Sequence, residues 1–196
     1  MRLPFFFVLL ILASLADAAS AAGAQAEYRV GDRLSPAKSG ATPAAVYKEI
    51  GWDALIPSGW DPQKAFKGID LGTLRDSDPR AMEALQRLRE TWENAPVEAS
   101  LRGKHIRIAG FMVPLERKGE EVTEFLLVPY FGACIHTPPP PANQIIHVLA
   151  SKPLKGIQTM DPVWVSGTLD IARSDSPLGT SGYRMTGEIV LPYSKR

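Results

Sequence analysis

The sequence predicts a mainly β fold: a small five-stranded, OB-like barrel or strongly bent sheet, behind an N-terminal helical arm with one amphipathic helix. Three observations predict it. Apolar runs of strand length recur five times between residues 104 and 193, each bounded by turn residues. Gly110, Gly167 and Gly187 fall inside those runs, where glycine often marks a bulge or a sharp barrel bend. Upstream, from Pro79, the apolar spacing changes to that of a helix.

Residues 1–26 read as a signal peptide with a small-residue leader. Arg2 supplies a positive start, Leu3 to Leu15 is apolar, and Ala16-Asp17-Ala18 fits a cleavage site. Ala22-Gly23-Ala24 and Ala24-Gln25-Ala26 would serve as well. The apolar run is short for a bilayer span and no second run follows, so no transmembrane span is expected after cleavage. The expected location is periplasmic or secreted. Residues 27–43 read as a flexible linker, because small residues with scattered charge bury little.

Residues 44–103 form the arm. Ala44 to Ile50 reads as a short helical turn. Trp52 and Trp60, each inside a Gly-Trp-Asp triplet, read as anchors that pin the arm to the domain. Asp76-Ser77-Asp78-Pro79 is a helix start: Ser77 or Asp78 can cap, and Pro79 suits the first helical position. Ala81, Met82, Leu85, Leu88 and Trp92 then follow at helical spacing as a core stripe, with Arg80, Glu83, Arg87, Glu90 and Glu93 opposite. Asn94-Ala95-Pro96 ends the helix.

Residues 104–193 form the barrel. Ile106 and Ile108 alternate with His105 and Arg107, Phe111-Met112-Val113 continues apolar, and Pro114 closes the first strand. Val122 to Val128 returns as the second strand of a hairpin. Ile145 to Leu149, Val163 to Ile171 and Tyr183 to Val190 supply the other three. A small open sheet under the helix is the alternative.

A net charge of +1 with no Lys/Arg block excludes an electrostatic case for nucleic acid. A lone cysteine excludes an intramolecular disulfide.

The chemistry concentrates between the second and third strands, in Phe131-Gly132-Ala133-Cys134-Ile135-His136-Thr137 and Pro138 to Pro141. Cys134 and His136 are two apart, which in an extended segment puts both side chains on one side. A thiolate and an imidazole chelate Zn²⁺ or Cu⁺, and His147 is the candidate third ligand, with His105 a further possibility. A Cys134 nucleophile with His136 as base, oriented by Asn143, is a second reading, weakened because adjacent same-side groups seldom aim at one substrate atom. No catalytic residue is assigned. Burial of Cys134 as a small apolar residue is the plain alternative. A docking edge is a further reading: a stiff polyproline run, Pro138, Pro139, Pro140 and Pro141, flanked by Tyr130 and Phe131 and tied by Asn143 and Gln144, suits a partner protein.

Gly110-Phe111-Met112-Val113-Pro114-Leu115-Glu116, Phe125 to His136 and Pro138-Pro139-Pro140-Pro141-Ala142-Asn143-Gln144 resemble an exported bacterial family known as a domain of unknown function, number 3299; Trp52-Asp53-Ala54-Leu55 resembles its first segment. Some members are encoded beside an ABC-type transporter, which implies an accessory role in metal handling or envelope transport. Some are lipoproteins; this chain has no cysteine at the end of its leader. The expectation is an exported binding or accessory protein, metal-linked through Zn or Cu and associated with an ABC-type envelope transporter or another periplasmic protein. A docking module without metal comes second, and an enzyme third.

Overall fold

Alternation and continuous apolar runs become six strands and a helix in a computed structural model that describes residues 28–34, 46–61 and 79–193. The elements are β1 (Lys48–Glu49), α1 (Pro79–Glu93), β2 (Lys104–Lys118), β3 (Glu121–Val128), β4 (Ile146–Leu154), β5 (Pro162–Ser176) and β6 (Gly179–Pro192). The signal peptide, most of the linker and the Ser77 or Asp78 cap lie outside the described residues. No described helix is long and apolar enough to cross a membrane.

The sheet closes because β2 serves two neighbours. Its first half, Lys104 to Phe111, pairs antiparallel with β5, and its second half, Phe111 to Lys118, pairs antiparallel with β3. β4 and β6 pair in parallel, completing the circuit β2-β3-β4-β6-β5 and back to β2. This is a closed five-stranded barrel, as the glycine-marked strands predict. β1 lies outside it, parallel to β2 through Lys48 opposite Ile106.

The bend at Gly167 has a specific cause. A Cβ there would sit 1.9 Å from the Thr186 carbonyl oxygen, so only glycine lets β5 and β6 approach this closely. The ladder shifts register between Ser166 and Gly167, and Gly187 lies opposite.

Strand parity builds two apolar layers from one set of strands. Met112, Phe125, Leu127, Ile146, Val148 and Met185 belong to the main core cluster. Their neighbours of opposite parity, Phe111, Val113, Leu126 and Val128, form a second cluster with Ala133, Ile145 and Met160. The arm is tied to the barrel by Trp52, whose indole N–H donates to the Ala109 carbonyl at 2.7 Å. Fully buried Leu55 joins the main cluster, and its carbonyl accepts from the Tyr183 hydroxyl at 2.7 Å. That same hydroxyl accepts from the Glu98 N–H at 2.6 Å. Trp60 is half-buried.

Three sequence expectations need correction. Pro114 does not close its strand: β2 runs on to Lys118. The proline adjoins a register shift beyond the end of the β5 pairing, where a missing N–H is tolerated. Where a helical turn is expected, Lys48 and Glu49 are extended and pair with β2. The helix has the expected start and end but not the expected face. Ala84 is its buried residue; Met82 and Leu85 are exposed and Leu88 and Trp92 half-buried. Helical spacing finds an apolar stripe, but it is the small Ala84, not the larger Met82 or Leu85, that is buried.

Candidate functional site

The segment from Tyr130 to Gln144 joins β3 to β4 and is folded on itself rather than extended. Gly132 adopts φ +87°, and its carbonyl accepts from the N–H groups of Ile135, His136 and Thr137 at 3.3, 2.8 and 3.1 Å. Cys134 itself has φ +65°, a left-handed conformation uncommon outside glycine. The expectation that Cys134 and His136 share one side of an extended chain therefore fails: a tight turn separates them.

The thiol faces inward. Cys134 packs against the second cluster, and burial pushes its pKa up to about 12. At neutral pH it is a protonated thiol, which is neither a good nucleophile nor a thiolate ligand. His136 is exposed beside it.

His147 is on β4, opposite Leu126 and hence on the barrel's outer face. Its side chain is only 9% exposed, and its Nε2 pairs with Glu124 at 3.1 Å. Its buried Nδ1 has no hydrogen-bond partner. Cys134, His136 and His147 are not brought together: among the described residues no three His, Cys, Asp or Glu side chains group as a metal site would need. His105 lies on the first half of β2, near Thr168 and the Tyr47 ring.

Asn143 and Gln144 are buried ties rather than a surface. Asn143 Nδ2 donates to the Pro96 carbonyl at 2.9 Å; Gln144 Nε2 donates to the Trp52 and Asn143 carbonyls, each at 3.0 Å. The four prolines divide: Pro138 and Pro139 are exposed, Pro141 is half-buried and Pro140 is buried. With Ile135, 41% exposed, and His136, the outer prolines form a rim.

Tyr130 and Phe131 are engaged by a segment expected to be linker. Gly31 N–H donates to the Phe131 carbonyl and Phe131 N–H to the Asp32 carbonyl, both at 2.9 Å. Tyr28 stacks on Phe131 with ring centres 6.0 Å apart and meets the edge of Phe111 at 5.1 Å. The Arg33 guanidinium lies 5.6 Å from the Tyr130 ring centre. Composition alone reads residues 27–43 as unstructured; Tyr28, an aromatic in a stretch of small residues, was the available signal. Met160 was also missed. It has φ +68°, and its sulfur accepts from the buried Gly132 N–H at 3.2 Å. No local pattern marks it, because it comes from the connection between β4 and β5.

A model of the family described as "Protein of unknown function (DUF3299)" matches residues 52–192. The chain belongs to that family. A crystal structure of a DUF3299-family protein from Pseudomonas aeruginosa PAO1 is 36% identical, covering 77% of this chain and 99% of that one, with a TM-score of 0.60. No curated protein matches.

Proposed function

We propose that the chain is an exported accessory protein of an envelope transport system, binding a partner polypeptide through the rim of the β3–β4 loop. One observation carries the reading: the loop is rigidly framed by Gly132, Asn143 and Gln144, yet it turns its thiol inward and its apolar Ile135, Pro138 and Pro139 outward. A pre-ordered apolar edge binds without a large ordering cost. The Zn²⁺ or Cu⁺ reading at Cys134, His136 and His147 has less support, since the thiol is protonated and the three donors do not converge. A Cys134 nucleophile has least, for the same protonation reason.

The test places a photo-crosslinking residue at Ile135, Pro139 and, as a control, exposed Lys152, in cells. A discrete adduct from the first two positions and none from the third is expected. Absence of adducts, or the same adducts from all three, would sink the docking reading. Zn²⁺ and Cu⁺ titrations of the purified chain, with Cys134→Ser and His136→Ala, decide the metal alternative. Tight binding lost in both variants would put metal in place of docking.

A further inference from the structure

We infer that Tyr28–Leu34 occupies in cis a strand-addition site on the β3–β4 loop, and that this site takes an extended segment of a partner polypeptide presenting an aromatic and then a basic side chain. The inference rests on the docking reading above and gives it a chemistry. The Tyr130–Phe131 backbone offers a donor and an acceptor to an incoming strand, and here Gly31 and Asp32 satisfy both. Arg33 bridges Tyr130 in the antiparallel sense. Tyr28 fills the slot beside Phe111 and Phe131, and Arg33 covers Tyr130. Main-chain pairing with side-chain slots on either side is how extended peptides add to a sheet edge.

The cover is lightly held. Arg29 to Arg33 are exposed, and Gly31 sits at φ +94° in open space. Its buried contacts are confined to its ends, Tyr28 and Leu34, and the exposed backbone bonds between them put the segment toward the low end of local stability. The segment also lies outside residues 52–192, the part that matches the family.

A tethered segment competes at an effective concentration on the order of millimolar. A displacing partner therefore needs contacts that the cover lacks, and these lie next to it. Val30 rests on Gly132, against which His136 also packs, and the exposed Ile135, Pro138 and Pro139 follow. A partner segment that pairs with Phe131 and continues over this rim gains them. A second copy pairing through its own residues 28–34 offers this site the same side chains that the tethered cover already supplies.

The probe is a labelled peptide with the sequence of residues 28–34, titrated by fluorescence anisotropy into the full chain as wild type, Tyr28→Ala and Gly31→Pro. The proline removes the N–H that bonds Phe131 and cannot hold a positive φ, so it unseats the cover without touching the barrel. Binding to both variants should be at least ~10-fold tighter than to wild type, and should vanish when Phe131→Ala is added. No binding to either folded variant, equal binding to wild type, or binding that survives Phe131→Ala overturns the inference. A wild-type dimer that the peptide dissociates would assign the site to a second copy and overturn it too. Crosslinks at Ile135 and Pro139 without peptide binding would remove this inference alone; peptide binding without crosslinks would remove the accessory reading.

Discussion

Phe111 and Met112 are neighbours on β2, yet they belong to two apolar layers that are held differently. Met112 faces a cluster walled by the five paired barrel strands, with Leu55 of the arm as its buried member from outside them, so nearly every contributor is fixed by strand pairing. Phe111 faces a cluster roofed by a turn, by Met160 from another connection, and by Tyr28 and Leu34 from the N-terminal segment. The interior layer defines the fold. The outer layer uses what the strands leave over, under connecting segments that lie outside the barrel's ladders. Recognition surfaces are commonly built from such connecting segments on a rigid scaffold.

The most damaging change should be one that forces the closed ladder apart. Gly167→Ala puts a methyl group against the Thr186 carbonyl backbone, which cannot turn aside. A loss of about 4 kcal/mol or failure to fold is expected in urea denaturation. A loss below ~1 kcal/mol would mean the β5–β6 contact can relax and the barrel is less closed than its pairing indicates.

The two layers are compared directly by two phenylalanines. Phe125 is fully buried inside, and Phe125→Ala should cost about 3–5 kcal/mol. Phe131 is half-buried outside, so Phe131→Ala should cost roughly half as much. Equal losses would show that the outer layer is as much a part of the folding core as the interior.

A smaller effect is expected at the joint between arm and barrel. The Tyr183 hydroxyl donates to the Leu55 carbonyl and accepts from the Glu98 N–H. Tyr183→Phe leaves both without that partner, for a loss of about 1–3 kcal/mol by urea denaturation. A neutral substitution would mean that the arm rests on apolar contact through Leu55 alone.

The barrel was legible because the physics that makes it is local. Period-two runs fix strands, glycines inside them fix bends, and five consecutive strands have few ways to bury both faces. Phe111-Met112-Val113, read only as a strand that continues apolar, proves to be apolar at consecutive positions because both of its faces are buried. The loop was legible as a place but not as a geometry. Its composition pointed to Tyr130 through Gln144, but no residue there signals that the Gly132 carbonyl gathers three N–H groups and turns Cys134 inward. Asn143 and Gln144 bond Pro96 and Trp52, partners far away in sequence. Met160 and Tyr28 reach the loop from two other stretches, so tertiary contact alone reveals them.

The smallest expected effect at neutral pH, and the sharpest probe of the outer layer, is at Cys134. Its pKa rises from an ordinary 9.0 to about 12 through burial. The unfolded chain releases the thiol proton near its ordinary value while the folded chain retains it. The thiol therefore leaves stability untouched below about pH 9 and lowers it progressively as pH climbs from 9 toward 12. Tyr183, also raised to about 12 by burial, adds a decline of the same sign. Subtracting a Cys134→Ala variant isolates the thiol: urea melts at pH 7 should differ by less than ~1.5 kcal/mol, and the wild type should fall more steeply above pH 9. In the folded wild type, a disulfide reagent at pH 8 should modify Cys134 more than ~10-fold more slowly than a free thiol. If Gly31→Pro restores fast labelling, the cover and the thiol belong to one mobile layer. If labelling stays slow, the Gly132 turn protects the thiol on its own and the cover lies over the aromatics alone.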